Sequence, residues 1–127
     1  MNKIALYSIL ALFLTACDAP NTAHVNLKEG TKISLNNVKS TKSYMATKDD
    51  KDRQFHYFET TADLKTVYQD FSQALEKNGY KPAIKTQDDS TIQTYFRKPG
   101  SAMIVANFKQ PNPNQATTQA VLSWAVN

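Results

Sequence analysis

The chain has one cysteine, two histidines, three glycines and one tryptophan in 127 residues, and each scarcity excludes a class of chemistry. A single Cys forms no internal disulfide, so no covalent staple supports the fold. Three isolated glycines leave no Gly-rich loop of the kind whose backbone cradles phosphate. His24 and His56 stand far apart without a second cysteine between them, which is not zinc spacing. The run Lys48-Asp49-Asp50-Lys51-Asp52-Arg53 has three carboxylates, yet it lacks the glycine and the distal glutamate of a calcium loop, and Lys51 sits among the acids. No serine stands in a nucleophile-elbow context, and Asp88-Asp89 falls in an expected turn, where carboxylates are solvated. The formal charge of +4 is mild and interleaved, without the dense basic stripe that tracks nucleic acid. These absences predict no catalytic residues, no metal, no cofactor and no nucleic-acid partner.

What is present begins with a charged Lys3 and an apolar run from Ile4 to Leu14 broken only by Ser8, followed by Leu14-Thr15-Ala16-Cys17. A spanning helix needs roughly 20 apolar residues. This stretch is shorter, and Asp18, Pro20 and Asn21 follow directly. The four residues resemble the lipobox of bacterial lipoproteins, in which an aliphatic residue, a small residue and Gly, Ala or Ser precede an obligatory Cys. All four positions match. The resemblance implies that the Cys17 sulfur takes a diacylglycerol, that the chain is cut before it and that the new amine is acylated. Each methylene buried in lipid contributes about 0.8 kcal/mol, so two or more chains moor a protein stably. Asp18 resembles the residue that retains enterobacterial lipoproteins in the inner membrane. The expected location is thus the bacterial cell membrane, lipid-anchored and facing the periplasm, with the inner membrane preferred over the outer.

The implied organisation is a signal peptide over 1–16, an acylated Cys and flexible tether over 17–30, and one small domain over 31–127, a length suited to a single core. Thr31 to Leu35 alternates polar with apolar like a half-buried strand. Residues 36–47 read as an edge strand or a loop, and Lys48 to Arg53 as an exposed turn. Gln54 to Glu59 reads as a strand, with Phe55 and Tyr57 on one face, His56 and Phe58 on the other, and its aromatics assigned to the core.

Thr60 or Thr61 is placed to cap a helix, with Asp63 near its positive end. Leu64, Val67, Tyr68, Phe71, Ala74 and Leu75 then recur at the spacing of one apolar stripe, and Asn78-Gly79 ends the element. Tyr80 to Gln87, Thr91 to Lys98, Ser101 to Lys109 and Thr117 to Val126 read as strands joined by turn sequences. The predicted fold class is α+β: one long amphipathic helix packed on an antiparallel sheet of four to five strands, a two-layer sandwich.

The expected function is a membrane-anchored, non-enzymatic protein-binding or scaffold module of the cell envelope, touching membrane lipid through acylated Cys17 and another envelope protein through its sheet. The alternative is an immunity or inhibitor lipoprotein that neutralises a periplasmic toxin or hydrolase.

Overall fold

Two-residue alternation, more than helical periodicity, organises this chain. The computed structural model describes residues 22–27, 30 and 32–126. Among these residues, eight strands and one helix follow in the order β1 (Thr22–Asn26), β2 (Lys32–Asn36), β3 (Val38–Lys48), β4 (Lys51–Thr60), α1 (Leu64–Glu76), β5 (Lys81–Gln87), β6 (Thr91–Arg97), β7 (Ile104–Lys109) and β8 (Thr118–Ala125). β1 and β2 form a two-stranded sheet, and the rest form a six-stranded antiparallel sheet in the order β3-β4-β8-β7-β6-β5.

This overturns the expected architecture of one long helix on four to five strands. Among the described residues the molecule is mostly sheet, the helix has only 13 residues, and the strands divide into sheets of six and two. Two segments account for the difference. The stretch read as tether contains β1, whose Ala23 and Val25, with Leu27 just beyond, are buried and face Ile33 and Leu35 of β2. The stretch read as edge strand or loop is β3, an 11-residue edge strand paired along its length with β4. Their turn shrinks from the expected Lys48–Arg53 to Asp49-Asp50, both at positive φ (55° and 62°), as a two-residue hairpin turn of type I′ requires.

One face of the large sheet is covered. α1 packs against β5, β6 and β7 on one side and against β2 on another, while β1 meets β3. Leu64, Val67, Phe71 and Leu75 turn the helix stripe into the core. Phe71 meets Phe58 and Phe108 edge-to-face, with ring centroids 5.6 and 5.2 Å apart. Ile92, Phe96, Ile104, Ala106, Ala120 and Leu122 complete the floor, each at most 2% exposed.

The helix start differs from the sequence expectation. Asp63, not a threonine, is the N-cap, its carboxylate accepting from the Thr66 backbone N–H at 2.9 Å. The Leu64 N–H donates to Oε1 of buried Gln110 at 2.9 Å, and Gln110 Nε2 donates to the Gln115 carbonyl at 2.9 Å. One side chain thereby satisfies an orphan amide of the helix and pins the loop before β8. Pro82 lies in β5, the far edge strand, where the missing N–H costs no ladder bond.

Candidate functional site

Strand alternation sends every second side chain to the side of the sheet opposite the helix, and no element covers that side among the described residues. The register builds rows across it. Tyr44, Phe55, Ser123, Val105, Tyr95 and Ala83 form one row through all six strands. Lys42, Tyr57, Val121, Asn107, Gln93 and Thr86 form the next. The centre is Ser123, Val105, Val121 and the amides Asn107 and Gln93, and aromatic rings flank it.

At the β3–β4 end, Tyr44 stacks on Phe55 (centroids 5.3 Å, planes 17° apart) and on Tyr57 (5.9 Å, 16°). The two phenol oxygens lie 3.3 Å apart, and Lys42 Nζ sits 4.7 Å from the Tyr57 centroid and 5.2 Å from that of Tyr44. The hydrogen bond to Tyr44, aided by desolvation, pushes the Tyr57 phenol above its ordinary range. At the β5–β6 end, Lys85 Nζ donates to the Tyr95 hydroxyl at 2.7 Å and lies over the same ring, and the Arg97 guanidinium carbon is 5.6 Å from its centroid. Each end of the open face therefore carries an aromatic ring dressed with cations.

The charges of this face are one-sided. Lys39 and Lys42 of β3 and Lys51 and Arg53 of β4 share the side of Tyr57. Lys81, Lys85 and Arg97 occupy the far end, with Lys109 on β7 between. The only carboxylate whose register places it here among the described residues is Glu59, opposite Lys39. Arg53 Nη2 donates to Ser123 Oγ at 3.1 Å, which steadies its guanidinium over the sheet.

Two depressions mark the face. One, of about 570 Å³, lies beside the turn after β6 and is lined by Lys81, Pro82, Ala83, Arg97, Lys98 and Met103 among others, an apolar floor with a cationic rim. The other, of about 410 Å³, includes Lys42, Tyr57, Glu59 and Val121.

A third cleft, of about 370 Å³, opens on the opposite side and brings the two histidines near each other, with His24, Asn26, Ser43, Gln54, His56 and Trp124 in its lining. His56 stacks on Trp124 at 5.3 Å, and burial lowers its pKa from the ordinary 6.5, so its imidazole is held neutral near neutrality. Ser43 Oγ is 3.5 Å from His56 Nε2, too long for a firm hydrogen bond, and it also accepts from Gln54 Nε2 at 3.0 Å. The lining has no carboxylate among the described residues. His24, in the stretch read as tether, sits on β1 and is exposed, with Nδ1 2.9 Å from Ser34 Oγ. Among the described residues no group of three or more His, Cys, Asp or Glu could hold a metal ion.

Cys17 and Asp18, the residues singled out by the lipobox resemblance, lie outside the described residues. The aromatic strand assigned wholly to the core is in fact divided. Phe58 is 2% exposed in the core, whereas Phe55 and Tyr57 stand half-buried on the open side. The signal for that division was the alternation within β4 itself.

No protein-family model, no curated protein and no solved structure matches this chain.

Proposed function

We propose that the chain is a lipid-anchored, non-catalytic binding module of a bacterial envelope, moored through Cys17, facing the periplasm and docking another envelope protein on the open face of its six-stranded sheet. The observation that carries this reading is the uncovered row of aromatic, small and cationic side chains spanning all six strands. Tyrosine and arginine are side chains that protein interfaces favour, because they bury large area while keeping a polar handle.

The test places a photo-reactive amino acid at Asn107, central on the open face, or at Gln69 on the exposed side of α1, in the full-length protein in intact cells. Adducts with an envelope protein from Asn107 and none from Gln69 are expected; the reverse pattern would remove the docking role of this face. Radiolabelled palmitate incorporation, lost in Cys17→Ser, tests the anchor independently. Placement of the native chain and Asp18→Ser in separated membranes tests inner-membrane retention, which requires the native protein in the inner fraction and the variant in the outer.

A further inference from the structure

Resting on the open-face reading, we infer that the partner is an acidic protein segment, rich in Asp and Glu, with an apolar side chain that enters the cleft beside Met103. Three observations converge on this occupant.

The first is charge complementarity. In the sequence, cations and carboxylates interleave; the fold separates them. Lys51 and Arg53 point to the open side while Asp52 between them points to the other, and every other outward-facing strand position that carries a charge, Glu59 excepted, is a Lys or Arg. α1 on the covered side has by contrast a slight acidic excess, with Lys65 against Asp70 and Glu76. A face of one sign focuses field outward and rewards a partner of the other sign.

The second is the cleft. Lys81, Arg97 and Lys98 rim a floor of Pro82, Ala83 and Met103, with a volume of about 570 Å³. Such a site takes an apolar side chain flanked by carboxylates, which gives the partner an anchor as well as a charge match.

The third observation separates a protein from other polyanions. Tyr44 stacks on Phe55 and on Tyr57, and Lys42 lies over Tyr44 and Tyr57, so these rings are engaged with one another and with a cation rather than set out singly for nucleic-acid bases to stack on. The anchoring bilayer is also poorly placed. β1 begins at Thr22 in the layer opposite the open face, only five residues after Cys17, and five residues reach about 17 Å fully extended. A chain moored at Cys17 keeps Thr22, and with it the hairpin layer, within that reach of the headgroups.

The experiment uses the full-length chain throughout. In cells, the Asn107 photo-adduct is mapped by mass spectrometry, in the native background and in K42E/R97E. In detergent-free buffer, the purified protein, already seated through its anchor in phosphatidylcholine vesicles, is titrated with poly-L-glutamate and, separately, with second vesicles of equal parts phosphatidylglycerol and phosphatidylcholine. The expected results are an adduct on an Asp- or Glu-rich segment, a yield reduced about tenfold in K42E/R97E, and poly-L-glutamate binding that weakens as salt rises. The charge-keeping K42R/R97K should retain the native yield, and K65E/K77E on the helix should leave it unchanged, which separates the face from net charge. Circular dichroism confirms that each variant is folded.

An adduct on a segment without acids, or a yield indifferent to K42E/R97E, overturns the acidic partner while leaving the docking face in place. Lipid adducts, or vesicle binding in preference to poly-L-glutamate, overturn it in favour of the membrane. Loss of the Asn107 adduct with gain of one at Gln69 overturns the docking face itself.

Discussion

The two faces of the six-stranded sheet are built from alternate residues of the same strands, yet they obey different physics. On the covered face Phe58, Phe71 and Phe108 meet edge-to-face, each at most 2% exposed. On the open face Tyr44, Phe55 and Tyr57 stack in parallel, and Tyr44 is 38% exposed. Burial on one side supplies the hydrophobic free energy that holds the fold. The other side contributes little to that term, so its composition is free to answer to a partner.

The sharpest way to break the comparison is to truncate one ring on each side. Phe71→Ala should cost about 3–5 kcal/mol in urea unfolding, because two aromatic neighbours and the sheet around it close a cavity only in part. Tyr57→Ala should cost about 1 kcal/mol, the scale of an aromatic pair with solvent on one side. Equal costs would mean that the open face is a second core, and that the docking reading fails.

That contrast also marks where the chain was legible. The helix stripe could be read because Leu64, Val67, Phe71 and Leu75 are all buried at helical spacing, and β6, β7 and β8 because strict alternation puts every second residue in the core. The overall class could not. β1 contains few apolar positions beside Pro20 and Asn21 and becomes a strand only by pairing with β2, which lies some residues ahead in the chain. β3 is an edge strand where the covered layer is thin, so Ser40, Ser43 and Thr47 stay exposed and its alternation is blurred by serine and threonine. In β4, the separation of Phe55 and Tyr57 from His56 and Phe58 was visible; which side would be covered depended on where the helix and hairpin landed. The same tertiary fact hid the cationic face inside an interleaved charge pattern.

A second prediction sharpens the covered side. Thr94 is fully buried in β6 on the core face, and its hydroxyl finds no hydrogen-bond partner among the described residues. An unsatisfied buried hydroxyl costs free energy that an isosteric methyl does not. Thr94→Val should therefore raise stability by about 1 kcal/mol, read from the same urea midpoints. A loss of stability would show that the hydroxyl is engaged after all.

The edge of the covered side supplies a pH signature. Burial lowers the His56 pKa below the ordinary 6.5, so the unfolded chain takes a proton that the native chain resists. Stability should be level above 6.5, fall as pH drops below it, and level again once native His56 is itself protonated. Asp63 and Asp88 titrate elsewhere. The Thr66 hydrogen bonds hold Asp63 below its ordinary 3.8 and the Ser90 amide does the same for Asp88, so their contribution disappears only at and below that pH. Urea unfolding of native protein and His56→Phe across this range checks the assignment. The variant should lose the upper step and keep the lower, whereas an upper step that persists would place it on another group.

The smallest expected change is the most telling about the open face. In K42E/R97E, Lys42 no longer covers the Tyr44 and Tyr57 rings and Arg97 no longer covers Tyr95, losses on the scale of exposed cation–π pairs, about 0.5–1 kcal/mol each. Against that, two cations leave a face whose other charges are nearly all positive, and like-charge repulsion across the strands falls. The terms oppose, and the unfolding free energy should stay within about 0.5 kcal/mol of native at moderate salt. Low salt should shift the balance toward the variant, because screening no longer masks the repulsion in the native chain. A native protein that instead gains stability over the variant as salt is lowered would mean that these cations are neutralised within the fold, and that the face has no excess charge to offer an acidic partner.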